Sequence, residues 1–134
     1  MLAVADLELI EAARGIIRAR YKPGWHAVGC ALRTRTGRIH LGVHLECHVG
    51  RIAVCAEAIA IGRGATEGDT DIESIVAVHQ SSEKDAAPAV VAPCGMCREM
   101  ISDYAPEARA IVPGPCGPEV RPISGLLPLK YQRA

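Results

Sequence analysis

Apolar positions at Leu7, Ile10, Ala13 and Ile17 repeat at the spacing of one helix face, with polar residues between them. Asp6 stands where it can cap that helix, which is predicted to run to about Arg20 and to end at Lys22-Pro23-Gly24. Trp25 to Thr34 and Arg38 to Glu46 read as two strands joined by a turn at Thr36-Gly37. Cys47 to Ile52 is expected as loop, and Val54 to Arg63 as a helix terminated by Gly62-Arg63-Gly64. Beyond a polar loop from Glu67 to Asp71, the run Ile75-Val76-Ala77-Val78 predicts a short buried strand. Ser81 to Ala87 reads as another polar loop. A helix is then expected from near Gly95 to about Tyr104, and a short strand from Arg109 to Val112. The remaining tail is rich in Pro and Gly before it reaches Leu126-Leu127-Pro128. The order helix, hairpin, helix, strand, helix, strand predicts a mixed α/β sheet flanked by helices. No repeat, low-complexity tract or long linker divides the 134 residues, so one domain spanning 1–134 is expected.

Composition adds a prediction about assembly. Hydrophobic residues make up 49% of the chain, much of it Ala and Val, with no Phe and one Trp. Mean hydropathy is +0.15. A domain of this size buries roughly two-thirds of its unfolded surface, and so much apolar content in it predicts a homo-oligomer. The alternative is a small, well-packed monomer.

Charge narrows the partners. Fifteen basic residues balance fifteen acidic ones, leaving no basic surplus for a nucleic-acid groove. Aromatic residues are only 3%, which also argues against a single-strand binding platform. No apolar run is long enough to span a bilayer. Asp6, Glu8 and Glu11 within the first apolar stretch argue against a signal peptide and point to the cytoplasm. There, six cysteines read as thiols and metal ligands more readily than as disulfides.

The candidate chemistry lies in Cys55-Ala56-Glu57 and Pro93-Cys94-Gly95-Met96-Cys97, each opening a predicted helix. Three thiolates fill three corners of a zinc tetrahedron and leave the fourth open for water. Helix starts stabilise thiolates through their partial positive charge and free N–H groups. Glu57 then hangs beside the zinc face, where it can take a proton from water and deliver it to a ring nitrogen and a leaving amine. A Cys-x-x-Cys pair by itself also marks redox dithiols and structural zinc knuckles. Cys116, with Cys47 and His48 behind it, is the candidate to close a structural site. In that case Glu57 is a helix-surface carboxylate. The spacing of one ligand, any residue, Glu, then a later Pro-Cys-x-x-Cys is a known signature of zinc-dependent nucleobase deaminases.

On these residues the chain resembles the cytidine deaminase superfamily, in its small three-cysteine branch. Val28-Gly29-Cys30-Ala31-Leu32 is similar to the family's Val-Gly-Ala-Ala-Leu strand, and Gly37-Arg38-Ile39 to its hairpin turn. Pro93-Cys94-Gly95-Met96-Cys97-Arg98 and the closing Leu126-Leu127-Pro128 with Tyr131 also match. Blasticidin S deaminases are similar in that Leu-Leu-Pro and in lacking an Arg after Cys-Ala-Glu. The resemblance implies a three-layer α/β/α sandwich around a five-stranded mixed sheet, assembled as a homotetramer with sites shared between subunits. It implies one zinc per subunit on Cys55, Cys94 and Cys97, Glu57 as proton shuttle, and substrate contacts from His26, His44, Glu46, Ala56 and Tyr131. The implied reaction replaces an exocyclic amine by oxygen and releases ammonia.

The departures bear on substrate. Where cytidine deaminases carry Asn-x-Glu eleven residues before the first zinc Cys, this chain has His44-Leu45-Glu46. Glu46 can still accept a sugar hydroxyl, and one His44 tautomer can both donate and accept. His26 replaces a Phe that lies against the pyrimidine. Ala58 replaces an Arg that offsets thiolate charge, a role open to Arg51 or Arg98. His26, His44 and His48 are either ordinary surface side chains or a pH-sensitive group at the pocket. The expected activity is hydrolytic deamination of a small aminated heterocycle, with cytidine or deoxycytidine leading. The alternatives are a blasticidin S-type or other modified nucleoside or base, and a non-catalytic zinc-stabilised binding module.

Overall fold

The structure is a computed structural model that describes residues 2–83 and 86–134, so two positions of the loop expected at 81–87 lie outside the described residues. Four helices, α1 (Val4–Arg20), α2 (Ala56–Thr66), α3 (Gly95–Tyr104) and the single turn α4 (Ile123–Leu126), surround a sheet. Its strands are β1 (Val28–Thr34), β2 (Ile39–Val43), β3 (Ile72–His79), β4 (Ala89–Val91), β5 (Arg109–Gly114) and β6 (Gly117–Pro122). Five of them form a continuous path in the order β2-β1-β3-β5-β6, and the short β4 pairs with the end of β3. The sheet is mixed, because β3 and β5 run parallel while the other pairs are antiparallel. The expected five-stranded sandwich is therefore present, with a sixth short strand added.

Alternation along the strands makes the three layers. Cys30, Leu32, Ile75, Ala110 and Val112 face a core shared with Ala56, Ala60 and Ile61 of α2 and Ile101 of α3. Their neighbours Ala31, Val76, Val78 and Ile111 face the opposite way, against Leu9, Ile10, Ala13 and Ile17 of α1. Because the middle of β3 is covered on both faces, Ile75 to Val78 form an unbroken apolar run rather than an alternating one. No helix among the described residues is long and apolar enough to cross a membrane.

Local expectations shift in four places. Asp6 lies inside the first turn of α1, where its carboxylate accepts the Ala3 N–H at 2.9 Å. The buried face of that helix includes Leu9, while Leu7 is half exposed. The first hairpin strand starts at Val28 rather than Trp25, because Lys22 to His26 closes a turn of its own. Helix α2 runs through Gly62 and Gly64 and ends at Thr66, followed by Gly68 at φ +73°. Gly64 serves packing instead: a Cβ there would lie 2.5 Å from the Asp69 carbonyl oxygen. Finally, the Pro- and Gly-rich tail contains β6, whose Pro118 and Pro122 are tolerated on an edge strand.

Candidate active site

Cys55 is the N-cap of α2 and Cys94 the N-cap of α3, so the two helix starts present their sulfurs side by side. Cys97 follows one turn into α3 and is buried. The three Sγ atoms lie within 4.8 Å of one another. Cys55 and Cys94 are 3.7 Å apart. That separation is far beyond a disulfide bond and matches the edge, about 3.8 Å, of a tetrahedron with Zn–S bonds of about 2.3 Å. The donor set therefore fits one zinc ion. Among the described residues no fourth ligand joins the group. Cys116 is exposed in the turn between β5 and β6, and His48 packs its ring against Trp25, 5.2 Å between centroids.

Glu57 sits two residues into the helix behind Cys55 and is only 5% exposed. Burial pushes its carboxyl above the ordinary value, against hydrogen bonds from its own N–H and from Cys97. A carboxyl raised in this way is better matched to moving protons near neutrality. Burial likewise raises the Cys55 and Cys97 thiols. At Cys94 burial is outweighed by hydrogen bonds from the Cys97 and Met96 N–H groups and from the other two thiols, which bring it below the usual thiol range. The start of α3 thus favours a thiolate there.

These groups open into a cavity of about 580 Å³. Its walls are Val28 and His44, the segment from Gly50 to Glu57 without Ile52, then Val91, Ala92, Cys94 and Met96. Backbone pairing of Leu45 with Val54, 2.9 Å in both directions, closes the loop that forms one wall. Gly42 allows α2 to approach β2 closely: a Cβ there would lie 2.6 Å from the Ala60 nitrogen and 2.7 Å from the Ala56 oxygen. This contact seats the helix that carries Cys55 and Glu57.

Of the residues singled out from sequence, Cys55, Cys94, Glu57, His44 and Ala56 line the cavity, and Cys97 adjoins it as the third sulfur. His26 and Glu46 are not among the described residues lining it. His26 Nδ1 donates to the His44 carbonyl at 2.8 Å, and Glu46 Oε1 accepts the Cys47 N–H at 3.0 Å. Tyr131 is 77% exposed and lines a separate groove with Glu99, Asp103 and Lys130. Arg98 is occupied elsewhere, donating to the carbonyls of Pro93 at 2.8 Å and Leu126 at 3.1 Å, so it ties the Leu-Leu-Pro segment to α3. Arg51 is on the cavity wall. Val28, Val91 and Ala92 carried no chemical signal in the sequence, because an apolar wall looks like any other strand residue.

His44 is more constrained than its sequence position suggests. The backbone N–H groups of Ala27 and Val28 both donate to its Nδ1, at 3.0 and 3.2 Å. That nitrogen must be unprotonated, so the neutral ring carries its proton on Nε2. Burial also lowers the imidazole's pKa, with Glu46 opposing and His26 and His79 adding to the effect.

A three-thiol zinc cradle beside a buried carboxylate, set at two helix starts on a mixed α/β/α sheet, defines a zinc-dependent hydrolytic deaminase. The chain belongs to the family described as the cytidine and deoxycytidylate deaminase zinc-binding region, whose model matches residues 4–112. It is 48% identical over 130 residues to the blasticidin-S deaminase of Bacillus cereus, covering 96% of this chain and 93% of that one. To the cytidine deaminase of Halalkalibacterium halodurans it is 28% identical over 103 residues, 75% of this chain and 74% of the other. The crystal structure of cytidine deaminase from Mycobacterium leprae superimposes with a TM-score of 0.76 at 28% identity, over 94% of this chain and 99% of that one. Cytidine deaminase from Bacillus anthracis shares the fold with a TM-score of 0.81 at 21% identity, over 93% and 88%.

Proposed function

We propose that Cys55, Cys94 and Cys97 hold the zinc and that Glu57 carries protons in the hydrolytic deamination of cytosine nucleosides, cytidine and deoxycytidine to their uridine counterparts. The observation that carries this reading is the buried Glu57 carboxylate on the wall of the same cavity as the three-sulfur cluster. Zinc held by these three sulfurs would lower the pKa of water toward about 7 and so supply hydroxide at neutral pH. Glu57 takes one proton from the attacking water and delivers it to the ring nitrogen next to the reacting carbon. The water oxygen bonds to that carbon, and as the carbon–nitrogen bond then breaks, Glu57 takes the remaining hydroxyl proton and passes it to the departing amine, which leaves as ammonia. Ala56, first residue of α2, has a backbone N–H with no partner inside the helix and so presents a donor to the substrate. His44 donates from Nε2, and Glu46 retains one carboxylate oxygen for a sugar hydroxyl. His26 holds the His44 segment in place.

A second substrate within the same chemistry, the modified nucleoside blasticidin S, is favoured by a specific observation. The relative of that name matches at 48% over nearly the whole of both chains. An ammonia-release assay on zinc-loaded protein with cytidine, deoxycytidine, cytosine, guanine, adenosine and blasticidin S separates the two. Turnover of the nucleosides is expected. Turnover of free cytosine with none of its nucleosides would refute the roles of Glu46 and His44.

The acting unit in this reading is one domain, 1–134, working in the cytoplasm as a homotetramer. Exposed Leu45, Val49, Ile52 and Met96, from the segments that form or flank the cavity wall, support burial against copies of the chain, as does exposed Tyr131 in the tail. Light scattering of the purified protein tests the tetramer, and a monomer at assay concentration overturns it.

A further inference from the structure

Of the three sulfur-bearing residues, Cys94 is the exposed one. Its backbone, at φ −68° and ψ 170°, is extended and stands just outside α3. The peptide that leads into it lies ahead of the first helical hydrogen bond, so the helix by itself does not hold the Pro93 carbonyl. Arg98 does. Its backbone N–H donates to the Cys94 carbonyl at 2.9 Å, and its Nε–H donates to the Pro93 carbonyl at 2.8 Å. One residue thus fixes both carbonyls that flank the Cys94 α-carbon. Helical side chains lean toward the N-terminus, which lets a residue one turn along reach back over the cap. The other side of the same guanidinium donates to the Leu126 carbonyl at 3.1 Å. Leu126 ends the single turn α4, so that carbonyl has no partner within the turn. Buried Ile123 anchors α4 in turn, its N–H donating to the Ala108 carbonyl at 2.9 Å.

We propose that Arg98 is the positioning residue of the metal cradle. With its backbone on one carbonyl beside Cys94 and its side chain, braced on Leu126, on the other, it aims the Cys94 sulfur at Cys55, 3.7 Å away. This rests on the donor set proposed above and adds how that set is held. The role belongs to the fork and not to the charge. Two carbonyls on different segments match separate N–H groups of one rigid plane, whereas an ammonium on a flexible stem follows only one of them. Without that grip the Pro93-Cys94 peptide turns, the ion is held by two sulfurs for part of the time, and it escapes faster.

The test compares wild type with Arg98→Ala, Arg98→Lys and Lys130→Ala. The readouts are zinc release to excess chelator, the sulfur-to-metal absorption of the cobalt(II)-substituted protein, and the Tm of the metal-free chain. Lys130 is the control because it ties the same tail to α3, 3.3 Å from Glu99 and 2.7 Å from Asp103, through neither carbonyl beside Cys94. Arg98→Ala should release zinc about tenfold to a hundredfold faster and alter the cobalt spectrum. Arg98→Lys keeps the charge and loses the fork, so it should lie nearer to alanine than to wild type, and it carries the test if alanine prevents folding. Lys130→Ala should release zinc at the wild-type rate. Equal release from Arg98→Ala and Lys130→Ala overturns the proposal, as does full recovery in Arg98→Lys or release that merely tracks the fall in Tm. The Arg98 Nε–H should also exchange slowly with solvent in the metal-free protein, and rapid exchange overturns the proposal without reference to metal. A wild-type chain that takes up no zinc but keeps that slow exchange refutes the donor set and leaves the grip on Cys94 standing.

Discussion

Gly42→Ala tests how the sheet seats the chemistry. The added Cβ would lie 2.6 Å from the Ala60 nitrogen and 2.7 Å from the Ala56 oxygen, both backbone atoms of α2 that no side-chain rotation can clear. To reach an ordinary contact of about 3.4 Å, helix and strand must separate by about 0.8 Å. Overpacking of this kind costs about 1–3 kcal/mol, or roughly 4–10 °C in Tm for a chain of this size. Helix α2 is capped by Cys55 and carries Glu57, so the same displacement moves a thiol and the buried carboxylate relative to α3. Misplacement approaching 1 Å costs on the order of a hundredfold, so kcat should fall about tenfold or more. Gly29→Ala supplies the control. Its Cβ would lie 2.8 Å from the Ala13 oxygen and 2.9 Å from Ile17 Cβ, a comparable clash against α1 on the other face. It should lower Tm similarly while kcat stays within about threefold, since α1 carries no site residue. Thermal unfolding and ammonia release measure both. Equal kcat losses in the two variants, or an unchanged Gly42→Ala enzyme, would refute the reasoning.

Glu57→Gln should keep its zinc and lose about 10² to 10⁴ in kcat, and a zinc-replete variant with full activity would remove Glu57 from the mechanism. Cys97→Ser should lower zinc content well below one per chain by atomic absorption, whereas Cys116→Ser should leave it at one. Zinc loss on replacing Cys116 would make that residue a ligand after all. Asp69 is held below the ordinary carboxylate range first by its hydrogen bond with His40 at 2.8 Å and then by those from Thr34 and Thr36, burial opposing. A depressed pKa in the folded state means stability that is present above the unfolded value of about 3.8 and is lost as pH falls through the folded one. Acid unfolding followed by circular dichroism should therefore lose part of its pH slope below about pH 4 in Asp69→Asn. An unchanged slope would exclude Asp69 as a source of acid lability.

Much of the fold was legible because its strongest signals are periodic. Helix α3 lies where Gly95 and Tyr104 placed it, and the apolar run at Ile75 to Val78 is the central strand. Two edge strands were hidden for a physical reason: β4 has three residues, and β6 carries two prolines that a central strand would exclude. The end of α2 was misplaced because Gly62 and Gly64 read as a stop. Gly64 is inside the helix because its missing Cβ lets Asp69 pack against it, a long-range requirement with no local mark.

The site divides along the same line. By itself the sequence determined the three-thiol set, the helix starts that carry it and the acid beside it, because residue spacing and helix-start chemistry are local properties of a few consecutive residues. The tertiary structure decided what surrounds them. It brought Cys55 to within 3.7 Å of Cys94 across a separation of 39 residues. It placed Arg51 on the cavity wall, committed Arg98 to Pro93 and Leu126, and set the His44 proton on Nε2 through two N–H groups of a neighbouring segment. None of these follows from spacing, because each depends on which groups of distant segments meet once the sheet has assembled.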